Sequence, residues 1–130
     1  MGNKWPYKIR NKKLYKKTKS KPISLTITER RWKLLGHILR LPAECPARKA
    51  MRYYFEERSC SLFVGRKRTT ILNTLNRDIQ ITKSKYKEFS IPLLKSQVSL
   101  QNIGTKARKK KLWSKLVKQV VDAAYSQQSF

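Results

Sequence analysis

Three groups of basic residues have the spacing that phosphate recognition requires. Gly65-Arg66-Lys67-Arg68 runs directly into Thr69-Thr70 and a short amphipathic segment carrying Ile71, Leu72, Leu75 and Ile79. Thr69 or Thr70 is placed to cap that helix. Three cations just ahead of a helix N-terminus oppose its macrodipole until an anion sits between them. Backbone N–H groups, the dipole, Arg66, Lys67, Arg68 and Thr69 would then converge on one phosphate. A second group, Arg108, Lys111, Lys115 and Lys118, recurs at steps of three and four. It would put its cations along about 15 Å of helix, a layout that can follow a phosphate backbone. Arg30, Lys33, His37 and Arg40 form the third group, on the polar side of an earlier helix. Each group also has a plainer reading: a basic surface turn or import signal for the first, and solvated outer helix faces for the others.

Residues for bond-making chemistry are scarce. The chain of 130 residues has one histidine, His37, two cysteines, Cys45 and Cys60, and two aspartates, Asp78 and Asp122. A structural zinc needs about four Cys or His ligands in close pairs, and these candidates are too few and too scattered. Both thiols are expected reduced, as in the cytosol or nucleus. A nuclease built on His37 with Glu44 or Glu56 would lack the aspartate cluster of metal-assisted hydrolysis. No catalytic residue, metal, cofactor or small-molecule substrate is therefore expected. Against that scarcity stand 32 Lys and Arg, 7 Asp and Glu, and a net charge of +25. Such an imbalance calls for a polyanionic partner. No run of about 18 apolar residues offers a membrane span, and the basic N-terminus lacks the apolar core of a secretory signal. The expected location is intracellular, with the nucleus favoured.

The elements that must position these residues form an all-α class of four to five short amphipathic helices with a disordered basic N-terminal arm. Residues 1–25 hold nine Lys or Arg, no acid and two prolines, and form the arm. Its Trp5, Tyr7 and Tyr15, set among lysines, offer rings to unpaired bases. Residues 26–125 form the helical module and 126–130 a tail. A helix over 26–41 opens on a Thr26/Glu29 capping box and stops before Pro42. Trp32, Leu35, Gly36 and Leu39 share its apolar face, widened by Leu34, Ile38 and Leu41. Gly36 within that arc would let a second helix approach closely. A second helix runs from about Pro46 to Glu57, with Ala47, Ala50, Met51, Tyr54 and Phe55 inward, and with Arg48 and Arg52 just off that face, where an Arg52/Glu56 pair makes a solvated, salt-bridged surface. A short helix with Pro92 in its first turn is expected after Ser90. The final helix begins at Leu100 or Thr105, ends at Tyr125, and buries Trp113, Leu116, Val117, Val120 and Ala124.

The run Arg30-Arg31-Trp32-Lys33-Leu34-Leu35-Gly36-His37-Ile38-Leu39-Arg40-Leu41-Pro42 resembles the R-R-W-x-x-L/F-G-H-I/V-L-R stretch near the C-terminal end of non-LTR (LINE-type) retrotransposon reverse transcriptases. Cys45 to Phe55 looks like the helix that follows in that family. Gly65 to Thr70 looks like its G-R-x-R-T-T element, followed by Leu75-Asn76-Arg77-Asp78. Ala107, Trp113, Leu116 and Val117 resemble the ending A-x-x-R-x-x-W-x-x-L-V, with Lys110 where the pattern has Arg. The resemblance covers about residues 28 to 121 and keeps the family's order. It implies a region beyond the polymerase that binds RNA or DNA during target-primed reverse transcription, alongside the parent polymerase domain. The polymerase's Tyr/Phe-x-Asp-Asp signature is absent, as are an upstream-type endonuclease and the zinc knuckle. The chain thus looks like a C-terminal fragment of such an element, non-catalytic by itself. The alternative function is a basic ribosomal or ribonucleoprotein structural component.

Overall fold

Helices α1 (Asn11–Thr18), α2 (Ile23–Arg40), α3 (Pro46–Phe55), α4 (Ile71–Lys85), α5 (Gln97–Ala107) and α6 (Lys110–Gln127) succeed one another in a computed structural model that describes residues 8–55, 65, 70–94 and 97–127. No strand occurs among the described residues, so the all-α class holds, with six helices in place of four or five. Two of the six were not expected as separate helices, each for its own reason. One is α1, which forms inside the basic arm but buries no side chain, in keeping with the arm's low apolar content. The other arises because the expected final helix is two helices, α5 and α6, divided at Arg108-Lys109.

The core centres on α2, which packs against α3, α5 and α6, while α4 closes the other side of α6. Leu25, Trp32, Leu35 and Leu39 recur at helical spacing and are buried. Leu34, expected to widen this face, is 56% exposed, so packing uses a narrower arc than the apolar residues offer. The helix begins one turn earlier than the Thr26/Glu29 box predicts. Pro22 precedes its first residue, and Leu25 N–H donates to the Pro22 carbonyl at 3.1 Å. Starting there draws Leu25 into the core, and Glu29 pairs with Lys33 at 2.6 Å instead of reaching back to a cap. At the other end Leu41 is extended ahead of Pro42, as a residue before proline should be.

Gly36 marks the closest approach of two helices. Trp113 of α6 lays its indole across the α2 backbone there and donates from Nε1 to the Trp32 carbonyl at 3.0 Å. A Cβ on residue 36 would stand 2.1 Å from that Nε1. The Trp32 and Trp113 rings lie 6.0 Å apart, tilted by 43°, a favourable aromatic arrangement. The two helices run antiparallel. Arg40, the last residue of α2, donates from Nη1 to the Ala107 carbonyl just ahead of α6 at 3.1 Å. That interaction explains the break after α5: Ala107 is fully buried and its carbonyl is turned to Arg40.

Elsewhere α3 buries Met51 and Phe55, whereas Ala47 and Ala50, expected inward, are exposed. The Tyr54 side chain and Glu56 of the expected Arg52 pair lie outside the described residues. Thr70 caps α4, accepting from Asn73 N–H at 3.3 Å. On α4 Asp78 accepts from Arg31 Nη1 at 2.7 Å and Trp32 Nε1 at 3.0 Å, tying α4 to α2.

The helix expected after Ser90 does not form, and 91–94 carry no regular secondary structure. Ile91 and Leu94 are buried, and a helical turn would forfeit a two-point clasp. Asn76 Nδ2 donates to the Leu94 carbonyl at 2.9 Å, and Leu94 N–H donates to Asn76 Oδ1 at 2.7 Å. Asn76→Ala leaves both backbone groups unmatched in a half-buried setting and should cost about 2 kcal/mol. Asn76→Asp, which cannot donate, should recover little of it. Urea denaturation midpoints check this, and an alanine variant as stable as the parent would refute it.

Candidate nucleic-acid interface

The antiparallel pairing of α2 and α6 brings members of two of the sequence's basic groups to one groove of about 850 Å³. Leu25, Val117 and Val121 form its apolar floor with an edge of Trp113. Its rims carry Lys21, Lys33 and Arg40 on one side and Lys110 and Lys118 on the other. Two carboxylates also line it, and both are engaged. Glu29 is held by Lys33, whose hydrogen bond keeps the Glu29 carboxyl below its usual range. Asp122 accepts from Lys85 at 2.8 Å and from the Tyr86 hydroxyl, and these hydrogen bonds hold its carboxyl below the usual range. Five cations against two paired acids leave the groove positive. Lys110 and Lys111 also open α6 with no acid in its first turn, where an anion would offset their conflict with the helix dipole.

The predicted residues distribute unevenly around this groove. Lys33, Arg40 and Lys118 line it. Arg30 and His37 are exposed beside it on α2. Lys111 and Lys115 are exposed on α6, within about 60° of Lys118 around the helix axis. Arg108 does not belong to the α6 stripe as expected. It falls in the break between α5 and α6 and lines a separate cavity with Arg40 and Arg48. Arg66, Lys67, Arg68 and Thr69, the anion site expected ahead of α4, lie outside the described residues. Gly65 beside them has φ 101°, a left-handed turn conformation that glycine adopts without strain.

Sequence reasoning missed Lys21 and Lys110 as groove residues, and assigned Arg48 to a solvated salt-bridged face. Helical periodicity gives the face each helix presents, but not the partner across the gap. It also missed the junction of arm and groove. Lys12, Tyr15, Lys16 and Lys19 of the arm border a smaller cavity of about 280 Å³ that shares Lys21 and Tyr125 with the groove. The two cavities and the Arg48 cavity therefore adjoin in series, joined by Lys21 and Tyr125 at one end of α2 and by Arg40 at the other.

Among the described residues, no group of three or more His, Cys, Asp and Glu is placed to hold a metal ion. Cys45 is a half-buried free thiol, and Cys60 lies outside the described residues. No described helix is long and apolar enough to cross a membrane. No protein-family model, curated protein or solved structure matches the chain.

Proposed function

We propose that the chain is a non-catalytic nucleic-acid-binding module that holds the phosphate backbone of RNA or DNA along the groove between α2 and α6. The observation that carries this reading is the series of adjoining basic cavities running from α1 past Lys21 to Arg40 and Arg108. The 18 residues of α2 make that track about 27 Å long, the axial length of about eight phosphates on one strand of a duplex. Apolar floor and cationic rims favour backbone contact over base-edge readout, so binding should be tolerant of sequence. The resemblance to the post-polymerase region of non-LTR reverse transcriptases supports the same role, with a parent polymerase domain as the natural neighbour and the nucleus as the site of action.

The test is the salt dependence of affinity for duplexes and single strands. Each neutralised phosphate steepens the slope of log affinity against log salt by about 0.9 on duplex DNA and about 0.7 on single strands. The combined Lys21→Gln, Lys110→Gln and Lys118→Gln variant should flatten the duplex slope by about 2 to 3 without altering any base preference. A slope unchanged by these substitutions would move binding off the groove, and a flat slope for the parent chain would end the proposal.

A further inference from the structure

A cavity of about 460 Å³ lies at the C-terminal end of α2 and shares only Arg40 with the groove. Leu39, Leu41, Pro42 and Ala43 line it together with Arg40, Arg48 and Arg108. These arginines come from three places in the chain: the end of α2, the first turn of α3 and the break between α5 and α6. No carboxylate lines the cavity among the described residues.

The three are not equally committed. Arg40 spends Nη1 on the Ala107 carbonyl. Arg48 lies over Gly104, where a Cβ would stand 3.6 Å from its Nη2, and its Nη1 is buried without a hydrogen-bond partner. That nitrogen has lost its water and found no acceptor. A charge so placed is weakly screened, and an anion beside it is attracted more strongly than at an exposed lysine. Arg108 is exposed at the rim and free to close on whatever enters.

We propose that this cavity takes a phosphomonoester: the terminal phosphate of a nucleic-acid strand or of a free nucleotide, its sugar or base resting on Leu41 and Pro42. Three cations without a facing acid suit a dianion better than the single charge of a backbone phosphodiester, and a terminal phosphate carries about −1.5 to −2 at neutral pH. The planar guanidinium fork matches phosphate oxygens in pairs. The volume falls within the range of about 300–1,000 Å³ usual for small-ligand sites. This inference rests on the nucleic-acid reading for its ligand and adds to it a preference for strand ends.

The test uses the full chain and three single strands of one sequence, each with an internal dye: hydroxyl at both ends, phosphate at the 5′ end, and phosphate at the 3′ end. In anisotropy titrations at fixed salt, at least one phosphorylated strand should bind about tenfold or more tightly than the hydroxyl strand. That ratio should fall to about one in Arg48→Gln and in Arg108→Gln. The second variant changes an exposed side chain, so the ratio stays readable even if Arg48→Gln unfolds. Adenosine monophosphate that abolishes the advantage assigns the site to free nucleotides as well, and an advantage that survives it assigns the site to strand ends. Tight and equal binding of all three strands would overturn this inference alone. Absence of binding to any of them at low salt would overturn the nucleic-acid reading and this inference with it.

Discussion

Gly36→Ala should destabilise the fold by about 3 kcal/mol, against the direction that helix propensity predicts. In an exposed helix interior the same change gains about 1 kcal/mol. Here the new Cβ would stand 2.1 Å from Trp113 Nε1 and 2.6 Å from Cδ1 of the same ring. The indole is 3% exposed, so it has no empty space to retreat into. Either α6 shifts outward or the ring rotates, and both break the hydrogen bond to the Trp32 carbonyl. Overpacking costs of about 1–3 kcal/mol and a lost buried hydrogen bond together outweigh the propensity gain. Thermal unfolding should show a midpoint lowered by roughly 10 °C for a chain of this size. Pairing the change with Trp113→Phe should give a non-additive cycle, because Nε1, the ring atom nearest the new Cβ, is then gone and the smaller ring can yield. A Gly36→Ala variant at least as stable as the parent would show that the two backbones are not held at this distance.

A comparable loss is expected for Asp78→Ala, through satisfaction rather than volume. The Asp78 carboxylate is the acceptor for both Arg31 Nη1 and Trp32 Nε1, and the Trp32 side chain is fully buried. Alanine leaves a buried indole N–H and a half-buried guanidinium without a partner, at a cost of about 3 kcal/mol. Asp78→Asn keeps an acceptor for the indole and should lose less than half as much. Burial pushes the Asp78 carboxyl above its ordinary range, and the hydrogen bond from Trp32 and the Arg31 charge offset only part of that push. A raised folded-state value means that the folded chain holds this proton more tightly than the unfolded one. The contribution of that shift is therefore complete in acid below the unfolded value and is lost as pH rises through the folded one. The parent should accordingly gain on Asp78→Asn as pH is lowered through the carboxylate range in urea melts. A gap that narrows in acid would show that the ion pair outweighs burial.

What periodicity carries was legible in the sequence. Trp32, Leu35 and Leu39 recur along α2, Trp113, Leu116, Val117 and Val120 recur along α6, and all are buried. The glycine inside the α2 face also announced a close approach, and Trp113 is what approaches. Tertiary exchanges of local preference were not legible. Arg108-Lys109-Lys110 contains no helix breaker, yet the chain bends there because Arg40, 67 positions away, takes the Ala107 carbonyl. Ser90 to Leu94 follows helix-start rules, yet Asn76 captures Leu94 from 18 positions upstream. The candidate interface divides in the same way. Each helix's basic stripe was visible alone, while the groove exists only because α2 and α6 pair antiparallel. Arg48 looked like part of a solvated face because it sits beside Arg52, whose i to i+4 partner is Glu56, whereas α5 lies against it in space.

The Trp113 indole seated on α2 also has a kinetic meaning. Its hydrogen bond to Trp32 joins residues 81 positions apart, so a long loop must close before the central contact of the core can form. During vectorial synthesis α2 emerges before α6, and its apolar face must wait for α6 to be translated. Until then Trp32 and Leu35 are open to other chains, and aggregation competes with completion. Refolding should therefore be limited by the arrival of Trp113 at Gly36, which makes intrinsic tryptophan emission a clock for the rate-determining step.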